Sequence, residues 1–495
     1  MGIVFRQSVK SSIAISAGAL LGVLFTYLST RYIPMQELGF RNNLTNQAVV
    51  GGQILLLGLH NMLSVYIHRY TDDDKRKPAL VTISMVLPFI IIGVTSIIYI
   101  LLKDTVINWF QPQDIPFIRR YFLWLPVYIM LFSYQVILET YLISQLKVAK
   151  ATFIREVLLR ALNIGLIFLF AYEFIDFDTL IYGTVLLYVV PIGLLLLLAF
   201  QTDAFRFSLN WSVFSKDEKK DIVHFTWYHS LLSLSITLMG MLDALMVAVL
   251  SPNGLKSVPI YSVAVVIISF LLIPYRAMLN STFPVLAQAF TDNNMAKVKD
   301  IFMRSSMNIF IASGAMLLIV CCNLHNAVAI LPMGYEAVSL VVIILAAGRM
   351  VDMATGMNDQ VLSISKHYQY NFYISLLLVV MMVGLNWWLI PRYDVYGAAW
   401  GTTIALVIYN IIKLFVVKRK LGIQPFSGKM VLVVIALAAG LAVGYLLPVF
   451  KNPFVDTIYR SAAIVIVYAI LLLVFKPSED LNSYLASVRK NKRLF

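Results

Sequence analysis

Apolar stretches of about twenty residues, divided by short polar segments, recur along the whole chain. A helix needs about 20 apolar residues to cross the hydrocarbon core of a bilayer. Fourteen runs qualify, near 11–30, 44–66, 79–102, 121–145, 153–172, 179–200, 223–250, 258–282, 305–325, 336–356, 370–390, 396–416, 430–450 and 457–475. The pattern predicts an all-α polytopic membrane protein with about 14 transmembrane helices. The longest segment between runs, roughly 201–221, is too short for a soluble domain, so the work is expected to be done within the membrane. No cleavable signal is expected: residues 1–10 are polar and short, and the first run has no small-residue cleavage site before Arg31.

Composition agrees with the pattern. Hydrophobic residues make up 60% of the 495 and charged residues 13%, with mean hydropathy +0.83, which excludes an ordinary soluble domain. The net charge of +14 would suggest nucleic acid in a soluble chain. In a membrane chain the placement of Lys and Arg decides the matter. With the N-terminus inside, 27 of the 39 fall on cytoplasmic segments and 9 on external ones, while Arg160, Arg276 and Arg349 lie within runs. This bias accounts for the charge without a nucleic-acid partner, and an even number of spans leaves both termini cytoplasmic. Cys321 and Cys322 are adjacent inside an apolar run, where a disulfide between neighbours would be strained and a metal would lack further ligands. They are expected to be packing residues.

An internal repeat suggests two lobes. YTDDDK (Tyr70 to Lys75) follows the second run and FTDNNM (Phe290 to Met295) follows the eighth; Tyr182-Gly183 precedes the body of the sixth run and Tyr396-Gly397 that of the twelfth. Six spans per lobe in the same orientation would be a parallel repeat. The expected organisation is a lobe at 1–205, a second at 206–421, two accessory spans at 422–476 and a cytoplasmic basic tail at 477–495. In LIPRYDVYGAAWGTTIALVIYN (389–410), Pro391 is expected to end one span. Gly397, Gly401 and Ala405 then share one face of the next, where a neighbouring helix could approach closely.

The Ile-Pro-x-Tyr-x-x-Tyr-Gly-Ala-Ala entry at 390, Leu38 to Phe40 after the first span, and the unit from MLDALMVAVL to LIPYRAMLNSTFPVLAQAFTDNN resemble the multidrug, oligosaccharidyl-lipid and polysaccharide (MOP) exporter superfamily, and most closely its polysaccharide-biosynthesis flippases. The fourteen-run count matches the lipid II flippases of the same superfamily. The resemblance implies two six-helix bundles in a V around a central cavity, with two further C-terminal helices. These would open alternately to the two sides and pass a polyprenyl-diphosphate-linked oligosaccharide, such as an O-antigen or capsule unit, across a bacterial inner membrane.

Ionisable groups at bilayer depth cost roughly 2.5–3.5 kcal/mol each on insertion scales and usually face a cavity or a partner. Arg276 and Arg349 fall in the inner halves of their runs, and Arg160 near the start of its own. A diphosphate leaving water must be paired, and guanidinium matches its oxygens bidentately. These three are the diphosphate-binding candidates, and by resemblance the lipid II flippases carry a cavity arginine on the helix equivalent to that of Arg276. The competing readings are an ion pair of Arg349 with Asp352 at i+3 and snorkelling of Arg160 to the interface. Glu139, Asp243 and Asp352 are candidates for coupling to H⁺ or Na⁺, by holding the ion in one conformation and releasing it in another. Asp243 lies roughly 12 Å from the external end of its run. His60 and His229 are weaker cavity candidates, with interhelical hydrogen bonding as the alternative. Pro88, Pro126, Pro191 and Pro274 are expected to kink their helices. Aromatics at span ends are expected to be interfacial anchors.

No Gly-rich phosphate loop, metal-spaced Cys or His cluster, or nucleophile with a base is visible, so neither an enzyme nor a cofactor is expected. A drug or cation antiporter of the same superfamily would have acidic residues dominating its cavity. A membrane glycan polymerase or ligase would bring a sizeable external loop.

Overall fold

The computed structural model describes residues 2–70, 74–202, 205–480 and 482–483. Among them all regular structure is helical, and the exposed surface of the helices is apolar: Ile97, Leu101, Trp387, Val431 and Ile466 are examples. Only 22% to 56% of each candidate spanning window is buried within the protein. Apolar side chains on this scale are stable outside a core only against lipid, so the chain is a polytopic membrane protein.

The expected fourteen spans are not found. Nine described helices are long and apolar enough to cross a membrane, or up to eleven if each of two bent pairs counts as one. The bent pairs are Met35–Leu55 with Leu59–Arg69 (55°) and Lys216–Ser235 with Thr237–Leu250 (48°). The remaining three runs are lost for separate reasons. Residues 153–172 are divided by a π-helical turn, Ile154–Leu158, leaving a helix of 13 residues. The 430–450 run is a helix of 17 residues, Met430–Leu446. The 370–390 and 396–416 runs count as one because they fall in a single helical stretch, Tyr368–Leu421, in which two helices meet across a kink at Asp394 (φ 54°, ψ −133°). Hydropathy counts apolar length and is blind to where backbone hydrogen bonding breaks or continues.

Two six-helix lobes in a V are not seen either. The chain divides into compact units at Met1–Pro259 and Ile260–Phe495. The Lys216–Leu250 helix, expected to open the second lobe, packs against Met35–Leu55 within the first unit. Its start is fixed by a capping box, Ser215 with Glu218, and Arg76 reaches Glu218 at 2.7 Å. It passes so close to Gly58 (φ 74°) that an added Cβ would lie 2.6 Å from the Thr226 carbonyl oxygen. The first unit is otherwise held by a core containing Met62, Leu63, Ile67, Leu80, Ile137, Leu138 and Leu142, and by a second around Leu28, Leu38, Ile164, Ile167 and Leu180.

In the second unit Met430–Leu446 and Pro453–Phe475 pack against Met295–Cys322. Lipid competes equally for apolar side chains, so close packing through small residues holds such helices together. Gly440 admits Leu318, and Gly444 admits Cys322 and Ile464. Cys322 is thus buried packing, and both cysteines are free.

Three of the four prolines expected to kink helices stand in the first turn of one instead. Pro274 begins Ile273–Thr291 after a 3₁₀ turn, and Pro126 and Pro191 are each third in their helices. There the missing N–H has no intrahelical acceptor to lose. Pro88 lies within Arg76–Leu101. In the 389–410 stretch, the helix that approaches Gly397 and Gly401 is the one that precedes the kink at Asp394. A Cβ on Gly397 would meet the Leu389 backbone, and one on Gly401 would meet Asn386. Thr71 and Asp72 of the repeat, and the basic end of the tail, lie outside the described residues.

Candidate functional site

In the second unit a set of polar groups surrounds a helix break. Val338–Thr355 ends at Gly356, whose φ of 60° and ψ of −122° suit only glycine, and the chain resumes as Asn358–Ile364. On the N-terminal side of the break, Asp352 accepts from the Asn410 amide at 3.2 Å, and Thr355 donates to Asn410 at 3.0 Å. On the other side, Asp359 pairs with Lys413 and accepts from the Tyr409 hydroxyl at 3.1 Å, while Lys413 also donates to that hydroxyl. Lys413 has no measurable exposure, whereas the Asp359 side chain is 40% exposed. A buried ammonium therefore faces a carboxylate that still reaches the surface. Gln360 donates to the Tyr275 hydroxyl at 3.0 Å, tying the Ile273–Thr291 helix to the same place.

Two of the expected arginines flank this cluster. Arg349 lies 3.6 Å from Asp352, the local pair that its spacing allowed. Arg276 follows Tyr275, is exposed, and has no ion pair among the described residues. The third, Arg160, is in the other unit. It pairs with Glu156 at 2.8 Å and donates to the Gly18 carbonyl. Glu139 is buried and paired with Arg155, which also holds Glu156 at 2.9 Å. The four charges Glu139, Arg155, Glu156 and Arg160 form a chain along the π-helical turn, a geometry that rotates successive side chains out of the α-helical register.

Asp243 is buried in the 237–250 segment. His60, just past the Gly58 break, is buried and its Nδ1 has no hydrogen-bond partner among the described residues. His229 is half-buried with its ring 4.1 Å from that of Phe225. His224 lines an open cleft of about 450 Å³ with Lys219, Lys220 and Trp227. No group of three or more His, Cys, Asp or Glu among the described residues could hold a metal.

No family model and no curated protein matches the sequence. Solved structures do. The lipid II flippase MurJ in an inward closed conformation aligns with TM-score 0.75 at 15% identity over 94% of this chain and 98% of that one. An inward-facing multidrug-resistance MATE transporter aligns with TM-score 0.66 at 16% identity over 83% of this chain and 98% of that one. The chain has the fold of the MOP-superfamily transporters. A third MOP structure, from Pyrococcus furiosus and described as having a binding pocket of reverse polarity, aligns with TM-score 0.57 at 16% identity over 85% of this chain and 95% of that one.

Within this MOP fold, sequence reasoning missed Lys413, Asp359 and Arg155. Lys413 and Arg155 were counted among the 27 basic residues on cytoplasmic segments, where most lysines and arginines of a membrane protein belong. The available signal was the polar word TGMNDQ (355–360) between two apolar runs, because so polar a break at membrane depth is tolerated only where protein or a cavity covers it.

Proposed function

We propose that the protein is an alternating-access transporter that moves an anionic, diphosphate-linked lipid–sugar across a bacterial inner membrane, closer to a lipid II flippase than to a surface-polysaccharide exporter. The observation that carries the reading is Arg276: an exposed guanidinium on a helix tied to the break at Gly356, with no ion pair among the described residues. A fixed cation without a carboxylate is what a diphosphate leaving water requires. In support, the lipid II flippase likeness extends over 94% of the chain and the MATE likeness over 83%. Arg349 would join Arg276 when substrate displaces it from Asp352. Arg160, held by Glu156, is the weakest of the three. On this reading both termini are cytoplasmic.

A MATE-like cation or drug antiporter is the second reading. The intramembrane carboxylates Asp352, Asp243 and Glu139 favour it, since each could carry H⁺ or Na⁺. Flipping of a fluorescent polyprenyl-diphosphate sugar in proteoliposomes separates the two. Charge-assisted hydrogen bonds are worth about 1.5–3 kcal/mol, so Arg276→Ala is expected to weaken transport roughly 10- to 100-fold, with Arg349→Ala milder. Full flipping by both variants, or efflux of organic cations without lipid flipping, would refute the first reading.

A further inference from the structure

Arg41 was one of the 9 basic residues counted on external segments. It lies instead in Met35–Leu55 and is 2% exposed. Its Nε donates to the Thr184 hydroxyl at 2.9 Å and its Nη2 to the Asn163 amide oxygen at 2.7 Å. The Phe25 ring lies 5.0 Å from its Cζ, and the hydroxyls of Tyr128, which donates to Thr45 at 3.3 Å, and of Tyr188 are within electrostatic reach. Nη1 is buried with no hydrogen-bond partner among the described residues, and no described carboxylate pairs with the guanidinium. The first unit thus encloses a full positive charge among neutral groups.

Burial of an ionised group is costly unless it is paired, and a guanidinium cannot escape by losing its proton. The ion pairs elsewhere in this protein show the usual solution: Lys413 has Asp359, and Arg460, 2% exposed, has Asp456. Arg41 has no such partner, although three helices bring polar groups to it. We propose that Arg41 is a binding site for a single anionic atom at Nη1, supplied either by a free halide or by a phosphate oxygen of an anionic lipid. Thr184 and Asn163 orient the guanidinium, and the anion supplies the missing counter-charge. This site lies in the Met1–Pro259 unit and is independent of the transported substrate.

The test is thermal unfolding of the full-length protein in phosphatidylcholine nanodiscs, followed by tryptophan fluorescence. Sodium gluconate is replaced by sodium chloride at constant ionic strength, with a second arm in which phosphatidylglycerol replaces part of the lipid in gluconate. A saturable rise in Tm is expected in at least one arm; chloride alone identifies a free halide, and phosphatidylglycerol alone a lipid phosphate. Asn163→Asp places a carboxylate where Nη2 now finds an amide. It is expected to raise Tm in gluconate and abolish the response, and Arg41→Gln, if it folds, is also expected to abolish it. No response from the wild-type protein in either arm would overturn the proposal. So would an Asn163→Asp variant that responds as strongly as wild type.

Discussion

Removing Asp359 should cost far more than removing its partner Lys413. The Lys413 ammonium is fully buried, with Asp359 and the Tyr409 hydroxyl as its hydrogen-bond partners. In Asp359→Ala that charge stays enclosed without its carboxylate. Breaking a buried pair from one side costs about 3–5 kcal/mol. Half-exposure of Asp359 and the neighbouring Asp352 carboxylate lower the figure here to about 2–3 kcal/mol. Lys413→Met instead fills the same space with an apolar chain and leaves a carboxylate that is already 40% exposed, so its cost should be under about 1 kcal/mol. The double variant should resemble Lys413→Met, because the stranded charge is gone. Equilibrium unfolding of the four proteins in detergent micelles completes a double-mutant cycle. Equal losses from the two single changes, adding in the double, would refute the reasoning, since each side chain would then act alone.

Gly356→Ala puts a Cβ within 2.7 Å of the Ser306 Cβ and forces a side chain onto φ of 60°; strain and overpacking together should cost several kcal/mol, visible as loss of folded protein on size exclusion, and wild-type yield would contradict it. Asp114, outside the spans, accepts from the Leu255 backbone N–H at 2.9 Å and from Gln36 at 2.8 Å, yet burial raises its carboxyl pKa above the ordinary value. A raised folded pKa means that its contribution to stability is fully present below the unfolded value near 4 and is lost as pH rises through the folded one. The Tm difference between wild type and Asp114→Asn should therefore move against wild type between pH 4 and 7; a flat difference would contradict the assignment.

The charge pattern and the length of the apolar runs were enough to establish an all-helical membrane protein, because crossing a bilayer imposes a length and a polarity that any sequence must display. The local spacing of Arg349 and Asp352 also carried their pairing, since i and i+3 meet on any helix. Helix continuity was not legible. The π-turn at Ile154–Leu158 divides a run that hydropathy shows as whole, and the break at Gly58 bends another by 55°. Nor could the sequence say which charges find each other. Lys413 meets Asp359 across 54 positions, Arg155 meets Glu139 from the next helix, and Arg41 meets Thr184 at a separation of 143. Bilayer depth is a one-dimensional property and survives in the sequence. Pairing of buried charge depends on which helices touch, and only tertiary packing decides that.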